Sequence, residues 1–298
     1  MKTAIGIDLG GTQIKAVAMD TSGSLLFEDC TATIDNGDDS IWKRSVASLV
    51  MKSREQLKTS DVVIGISAPG LPDLSNKMIS CMPDRLQGLE DFDWSAFLQT
   101  DCYVLNDAVA AMLAESRLGA AKGYQHMVMV TLGTGVGGGI LINGQPYFGA
   151  FGKAGHIGHM VINDEKAPDI CGMPGSLEEA IGNAGLLKRS EGRFAATSEL
   201  VEAFRSGDHD AREVWLTSVR KLAIGLASIT NILSPRIIVI GGGISEAGKD
   251  LFNPLEEYMS RYEWRAGGNK VLIVKAHFGS QSGAIGAACF ALEQSNNK

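Results

Sequence analysis

Apolar residues in this chain form short continuous runs that alternate with longer segments of helical periodicity. Residues 3–33 predict three strands, since a glycine-rich turn and a cluster of turn-forming residues at 20–23 separate the apolar runs. Later apolar runs predict buried strands, and these occupy 62–66, 102–105, 127–130, 236–240 and 271–274. Helical spacing of apolar residues predicts helices, and these occupy 42–57, 107–118, 214–233 and 282–293.

The order of these elements predicts an α/β protein with two lobes. Each half of the chain opens with strand, glycine turn and strand, and then alternates helices with buried strands. A length of 298 residues is sufficient for two modest hydrophobic cores. We expect a small N-terminal lobe of residues 1–108, a large lobe of residues 109–281, and a terminal helix at 282–298 that packs back on the first lobe.

Two glycine-rich turns, at residues 8–12 and 131–139, are the candidate phosphate-binding segments. Glycine allows a tight turn and a close approach of backbone N–H groups to an anion, and Thr12 and Thr134 add hydroxyl donors. The alternative for either turn is a plain hairpin connection. The second turn also contains G-x-G-x-x-G, but a strand follows it, which excludes the dinucleotide-binding helix; the chain has no P-loop pattern either.

The composition narrows the partners and the compartment. Acidic residues outnumber basic ones by 34 to 27, and the net charge of −7 argues against nucleic acid as a main partner. Five cysteines without a C-x-x-C pair indicate reduced thiols of a cytoplasmic protein. The chain shows neither a signal-peptide pattern nor an apolar run of membrane-spanning length, so we expect no membrane association.

Four short motifs, taken in order, resemble those of the ROK family of sugar kinases, in the actin-like/hexokinase ATPase superfamily. They are Asp8-Leu9-Gly10-Gly11-Thr12, Asn106-Asp107-Ala108, Leu132-Gly133-Thr134-Gly135-Val136-Gly137 and Ile240-Gly241-Gly242-Gly243. The resemblance runs nearly end to end. It implies a two-lobed ribonuclease-H-like fold with an interlobe active-site cleft, and phosphorylation of a hexose or N-acetylhexosamine with ATP and Mg²⁺.

The resemblance also implies roles for individual residues. Asp107 would be the general base, although an Asp at the start of an alanine-rich helix is also a good N-cap, a part that Asn106 could equally take. Asp8, at the end of an apolar strand, would hold Mg²⁺ directly or through water, with a turn-capping Asp as the alternative. The implied nucleotide-binding residues are Asp8, Gly10, Gly11, Thr12, Gly133, Thr134, Gly135, Gly242 and Gly243.

The sugar motif departs from the family pattern G-E-x-G-H, because His156 occupies the glutamate position in Gly155-His156-Ile157-Gly158-His159. A carboxylate accepts two hydroxyl hydrogens, whereas a neutral imidazole accepts one and donates one, so we expect a changed sugar preference. Glu178 matches the family's second sugar glutamate, and its alternative is a surface residue that starts a helix. The implied sugar-binding residues are Asn106, His156, His159 and Glu178.

The family's zinc motif is incomplete in this chain. Zinc-containing relatives combine the motif histidine with C-x-C-G-x-x-G-C, whereas residues 169–176 here retain only Cys171 beside His159 as strong ligands. We therefore expect no structural zinc. Packing of Ile170, Met173 and Leu177 would hold the segment instead.

Two other functions are alternatives to an ATP-dependent sugar kinase. A sugar-responsive repressor would need a DNA-binding domain ahead of the phosphate motif, and Asp8 leaves no room for one in this sequence. A catalytically weakened sugar-binding or regulatory protein is favoured by His156 and opposed by Asp107 and the two glycine turns. The expected partners are a small-molecule sugar and a second copy of the chain in a homodimer, without nucleic acid or membrane.

Overall fold

The computed structural model describes residues 2–59, 61–82, 85–163, 168–169 and 171–296. The chain divides into two compact units, each with its own sheet and core. Unit 1 comprises Met1–Gly123, Pro146–Ala154 and His277–Lys298, and unit 2 comprises Tyr124–Gln145 and Gly155–Ala276. Among the helices of the described residues, none is both long enough and apolar enough to cross a bilayer. The α/β class expected from the sequence is confirmed.

The strands and helices agree closely with the apolar pattern, and each element expected from it is present. The strands are β1 (Thr3–Leu9), β2 (Gln13–Asp20), β3 (Leu25–Ala32), β4 (Val62–Ala68), β5 (Leu71–Pro72), β6 (Ile79–Cys81), β7 (Cys102–Asn106), β8 (Met127–Leu132), β9 (Val136–Ile142), β10 (Gln145–Pro146), β11 (Ile237–Gly241) and β12 (Leu272–Lys275). The α-helices are α1 (Asp39–Leu57), α2 (Trp94–Leu98), α3 (Asp107–Arg117), α4 (Leu177–Ile181), α5 (Leu186–Arg189), α6 (Thr197–Arg205), α7 (His209–Leu233), α8 (Lys249–Tyr262) and α9 (Ser282–Asn296).

The sheet of unit 1 has the strand order β3-β2-β1-β4-β7. β1, β4 and β7 are mutually parallel, whereas β2 and β3 run antiparallel to their neighbours. The register places Asp8 of β1 beside Ser67 of β4, and Ala68 of β4 beside Asn106 of β7. The carboxyl ends of the three parallel strands therefore meet at one edge, which is where α/β sheets bind ligands.

Helix α9 packs directly on β1 and β4, and two paired glycines make this possible. Gly6 and Gly65 lie opposite each other in the parallel ladder. A Cβ atom at Gly6 would overlap the backbone oxygen of Ala284, and one at Gly65 would overlap that of Ala287. Side chains at these positions would push the helix away from the sheet. Residues from 282 onward therefore complete the core of unit 1.

The sheet of unit 2 has the order β10-β9-β8-β11-β12, with β8, β11 and β12 parallel and β8–β9 forming an antiparallel hairpin. Helix α7 covers this sheet with the apolar face expected from the sequence, since Leu222 and Leu226 are fully buried. Trp215 is also fully buried, and its indole N–H donates to the backbone oxygen of Asp250 at 2.9 Å. The parallel pairing of β11 with β8 and with β12 places the carboxyl ends of these strands at one edge.

Candidate active site

Asn106 and Asp107 lie at the junction of β7 and α3, and Asn106 serves as the N-cap of the helix. Asn106 is the N-cap of α3, since its Oδ1 accepts the N–H groups of Ala108 at 3.0 Å and Val109 at 3.4 Å. Its Nδ2 donates to the backbone oxygen of Gly70 at 3.1 Å. The capping alternative for Asp107 is therefore filled by Asn106.

Asp107 is the first residue of α3, and its Oδ1 accepts the N–H of Ala108 at 2.8 Å. The residue is exposed by surface area, yet protein atoms surround the carboxylate closely enough that burial is the main cause of its raised pKa. Burial first, and the charge of Asp8 second, raise the pKa of Asp107 to about 6. The hydrogen bond from Ala108 and the charge of Arg85 oppose that rise.

Asp8 is a partly buried carboxylate at the carboxyl end of β1. Burial raises its pKa, against a hydrogen bond from the Ser67 hydroxyl and the charge of Lys15. The Ser67 hydroxyl donates to Oδ1 of Asp8 at 2.6 Å. A Cβ atom at Gly283 would overlap the Asp8 carboxylate, so this glycine brings the first turn of α9, with its positive dipole end, against a negative charge.

The first glycine turn protrudes from the β1–β2 hairpin, and Gly11 and Thr12 are exposed. Backbone hydrogen bonds fix its shape, with the Gly10 N–H donating to the Gln13 oxygen at 3.1 Å and the Thr33 N–H to the Thr12 oxygen at 2.9 Å. The Thr33 hydroxyl also donates to the Gly10 oxygen at 2.7 Å. The carbonyl groups of the turn are thus used within unit 1, while the tip stays open to a ligand.

The second glycine turn, in unit 2, is supported by Glu178 of α4. Oε2 of Glu178 accepts the Val136 N–H at 2.8 Å, and a Cβ atom at Gly135 would overlap the same oxygen. The backbone N–H groups of Asn183 and Ala184 donate to the oxygens of Gly133 and Thr134, both at 2.9 Å. Glu178 is therefore no isolated surface residue, because its carboxylate braces the turn.

The third glycine motif follows β11 at the same edge of the unit 2 sheet. Gly242 has φ 82° and a Cβ atom there would overlap the backbone oxygen of Leu132, so the position requires glycine. Its oxygen accepts the Ser245 hydroxyl at 2.7 Å, which starts a 3₁₀ turn over Gly243–Ala247. Gly243 is exposed, with no heavy atom of the described residues within 4 Å of a Cβ placed on it. The motif can thus approach a ligand closely.

His156 precedes a short 3₁₀ turn that packs on β9, and His159 is the last residue of that turn; their rings stack with centroids 6.3 Å apart. Burial first, and the charge of His159 second, lower the pKa of His156. The imidazole is therefore neutral at pH 7, with one donor and one acceptor nitrogen. Within the described residues the His156 side chain has no hydrogen-bond partner.

Both ring nitrogens of His159 are already engaged. Nδ1 lies 3.3 Å from Oδ2 of Asp169, and Nε2 lies 3.6 Å from Sγ of Cys171. Oδ1 of Asp169 accepts the N–H groups of Cys171 and Met173, each at 2.9 Å. Although burial raises the pKa of Asp169, bonds from Met173, Ser176 and His159 bring it below its usual value.

Three candidate zinc ligands lie together at this place, whereas a closed tetrahedral site takes four. Ligand atoms of His159, Asp169 and Cys171 lie within 4.8 Å of one another, but no fourth such residue joins them in the described part of the chain. Of the residues expected to hold the segment by packing, Leu177 is buried, Met173 is 38% exposed, contrary to that expectation, and Ile170 lies outside the described residues.

Four further residues support the candidate site and were not found from the sequence. Ser67 and Gly283 contact Asp8, and the Arg85 guanidinium lies against Gly11. Arg189 binds the end of α4, donating to the oxygens of Gly182 at 2.6 Å and Ile181 at 3.0 Å. Burial lowers the pKa of Arg189 to about 10, so it stays charged. None of the four lies in a motif, and only the folded sheet brings them to their partners.

The chain is similar to known proteins along nearly its whole length. The ROK family model matches residues 4–294. The chain is 30% identical to a glucokinase of Halalkalibacterium halodurans, over 98% of this chain and 96% of the relative. It superposes on a ROK hexokinase from Thermus thermophilus with a TM-score of 0.88 and 29% identity, covering 99% of this chain and 100% of that one.

A ROK family glucokinase from Streptomyces griseus, solved with glucose and AMPPNP, has a TM-score of 0.81 and 25% identity, covering 98% of this chain and 99% of that one. These matches span nearly the whole chain and agree with the four motifs and with both sheets. The fold is therefore that of the actin-like ATPases, as the resemblance implied. The chain belongs to the ROK family of sugar kinases.

Proposed function

We propose that this ATP-dependent sugar kinase transfers the γ-phosphoryl group of ATP to a hydroxyl of a hexose or N-acetylhexosamine, with Asp107 as the general base. The observation that carries this proposal is that Asn106 and Asp107 have different contacts at the start of α3. Asn106 caps the helix, which leaves Asp107 at the carboxyl end of β7 as a second carboxylate beside Asp8. Family membership supports this assignment, because Asn106-Asp107-Ala108 matches the family motif.

The environment of Asp107 suits proton abstraction. A sugar hydroxyl is a poor nucleophile, and a carboxylate within hydrogen-bond distance accepts its proton as the phosphoryl group is transferred. A pKa of about 6 leaves Asp107 mostly ionised at pH 7 while making it a stronger base than an ordinary Asp. Asn106 would orient the sugar with the N–H of Nδ2 that does not bind Gly70.

The glycine motifs would bind the nucleotide. In this proposal, exposed backbone N–H groups and the hydroxyls of Thr12 and Thr134 donate to phosphate oxygens, and Gly242 and Gly243 lie against the adenosine. The oxygen donors of Asp8 fit Mg²⁺, since burial disfavours its unpaired negative charge. A bound Mg²⁺ would neutralise charge on the phosphates.

His156 would select the sugar. Its ring has no hydrogen-bond partner within the described residues, whereas His159 is bound to Asp169 and Cys171. We therefore assign hydroxyl recognition to His156, and to His159 the part of holding the 3₁₀ turn in place. Glu178 would support the second phosphate turn through Val136 and offer its other oxygen to the sugar.

The experiment that tests this function is an ADP-release assay over a panel of hexoses and N-acetylhexosamines. Turnover with at least one sugar, lost in Asp107→Asn, supports the proposal. Sugar binding by calorimetry without ADP release would support the second candidate, a weakened sugar-binding or regulatory protein, which the replacement of glutamate by His156 favours. We also propose that the protein is a cytoplasmic homodimer that binds neither nucleic acid nor membrane. Gel filtration with light scattering would test the homodimer, and binding assays with nucleic acid and with vesicles would test the other two statements.

A further inference from the structure

The first glycine turn is accompanied by an arginine that no motif contains. Arg85 is an exposed residue of unit 1, and its guanidinium lies against Gly11. A Cβ atom at Gly11 would overlap Nη2 of Arg85 and lie 3.3 Å from its Cζ. Apart from Gly11 itself and its two chain neighbours, no other residue of the described part of the chain has a heavy atom within 4 Å of that position.

Gly11 does not need to be glycine for the conformation of its own backbone. It is not among the residues with positive φ, so an ordinary side chain could adopt its backbone conformation. The space left by the missing side chain is instead filled by the guanidinium. The glycine thus allows Arg85 to lie on the tip of the turn.

Two carboxylates and two cations act on one another around this turn. Two carboxylates, Asp8 and Asp107, lie at the carboxyl ends of β1 and β7 and act on each other. Lys15 acts on Asp8 but donates its Nζ to the Ser280 oxygen at 2.7 Å. Arg85 acts on Asp107, yet within the described residues its guanidinium forms neither a hydrogen bond nor an ion pair.

We propose that the Arg85 guanidinium, lying on Gly11 of the first glycine turn, binds the phosphoryl group in transfer and is a further catalytic residue of this kinase. A guanidinium presents paired N–H donors in a plane, which matches two oxygens of a phosphoryl group. Charge spreads over those oxygens in the transition state, and a positioned cation stabilises it. The assignment rests on the proposed role of the first turn and of Asp107.

Arg85 would also help to keep Asp107 ionised. The charged groups that act on the Asp107 carboxylate are Asp8, which favours protonation, and Arg85, which opposes it. Removal of the arginine charge therefore raises the pKa of Asp107. The pH profile therefore reports the proximity of the Arg85 charge to Asp107, whereas kcat reports its contact with the phosphoryl group.

The first experiment compares Arg85→Gln and Arg85→Lys with the parent protein. We expect Arg85→Gln to lower kcat on the order of 10²–10³-fold with the KM for sugar little changed. The acid limb of its pH–kcat/KM profile should move to higher pH. Arg85→Lys, which keeps the charge but loses the paired donors, should leave the acid limb near its place and recover only part of kcat. Arg44→Gln in α1 of the same unit is the matched control, with kcat unchanged.

The second experiment is a double-mutant cycle with Gly11→Ala. If the gap at Gly11 serves Arg85, Gly11→Ala displaces the guanidinium and lowers kcat in the parent, but costs much less in the Arg85→Gln background. If the gap serves ATP alone, Gly11→Ala costs the same in both backgrounds, which would overturn the contact. An exposed arginine should not be needed for folding, and thermal melts verify this for each variant.

Two outcomes would overturn the proposal. One is that Arg85→Gln has the same kcat and the same acid limb of the pH profile as the parent protein. The other is that Arg85→Gln changes only the KM for sugar. Asp107→Asn, measured in parallel, separates this failure from that of the proposed function. If Asp107→Asn loses turnover while Arg85→Gln stays fully active, only the catalytic role of Arg85 is rejected. Full activity of Asp107→Asn would reject the general base, whereas the effect of Arg85→Gln on kcat would still be measurable.

Discussion

The two units contain the same local device, a glycine turn between antiparallel strands with a parallel strand beside it, but a carboxylate has a different task in each. In unit 1, Asp8 and Asp107 lie at the carboxyl ends of strands, where burial raises both pKa values. In unit 2, Glu178 accepts a backbone N–H of the turn itself, at 2.8 Å. The first arrangement keeps carboxylates available for chemistry, whereas the second uses one to hold a loop.

Glycine also serves different purposes in the two turns and the motif after β11. Gly242 has a positive φ and no room for a side chain, so the backbone itself requires it. Gly11 and Gly135 make room for the side chains of Arg85 and Glu178, a cation in unit 1 and an anion in unit 2. Similar glycine-rich patterns therefore lie beside side chains of opposite charge, and only the folded structure shows which charge lies beside which turn.

The largest effect should follow from Asp107→Asn. Asparagine keeps the shape of the side chain and leaves the Asn106 cap intact, but it cannot accept the proton, so we expect kcat to fall by roughly 10²–10⁴-fold. Because the folded state raises the pKa of Asp107 from 3.8 to about 6, its ionisation destabilises the fold as pH rises through that window. The variant should therefore melt no lower than the parent above pH 6. A kcat near that of the parent would remove the contrast between the two carboxylate roles.

His156→Glu should redistribute kcat/KM among sugars. The carboxylate would offer two acceptors in place of one donor and one acceptor, and each altered polar contact changes discrimination by about 1–3 kcal/mol, or roughly 5–150-fold. His126→Glu, a histidine outside the sugar motif, is the control. An unchanged preference across the sugar panel would show that His156 does not contact the substrate.

The pH dependence sharpens the role of unit 1. Since the base must be ionised, kcat/KM should be level above pH 7 and fall about tenfold per pH unit well below the Asp107 pKa of about 6. Burial also lowers the pKa of His156, so its imidazole is neutral over the level range. If the residual activity of Asp107→Asn still shows this acid limb, the limb belongs to another titrating group.

Glu178→Gln tests the bracing role in unit 2. The change replaces a charge-assisted hydrogen bond to Val136 with a neutral one, and should lower the free energy of unfolding by about 1 kcal/mol and raise the KM for ATP. Glu179→Gln is the matched control. Oε2 of Glu179 lies 3.8 Å from Nζ of the exposed Lys188, and a surface ion pair of this kind contributes little to the free energy of unfolding. Equal melting of the two variants would show that Glu178 does not brace the turn.

Zinc removal should have the smallest effect. The contacts of His159, Asp169 and Cys171 fall short of a closed site, so we expect no stoichiometric zinc after gel filtration and no change of melting temperature with a chelator. Elemental analysis measures the first and a thermal melt the second. About one zinc per chain, with melting lowered by the chelator, would mean that Asp169 replaces a cysteine as ligand.

The sequence predicted local structure well and long-range partners poorly. Apolar runs and helical spacing located the strands and helices, because burial of a strand or a helix face is recorded in its own residues. The same pattern carries no information on register, and register is what brings Ser67 to Asp8 across 59 positions of sequence. Arg85 escaped notice for the same reason, since its partner Gly11 belongs to another segment. The capping role of Asn106 was predicted as one of two alternatives, because it depends on neighbours in the chain.

The position of α9 in the chain has a consequence for the order in which the protein folds during synthesis. Unit 1 begins with β1, but the helix that covers β1 and β4 and contacts Asp8 is made only after all of unit 2. Unit 2 is nearly continuous in sequence and can close its core while the ribosome is still translating. Unit 1 must wait for a partner more than 200 residues away, which is a slow, high-contact-order step. Until then β1 and β4 expose an apolar face, so nascent chains stalled before residue 282 should be the ones that need chaperones.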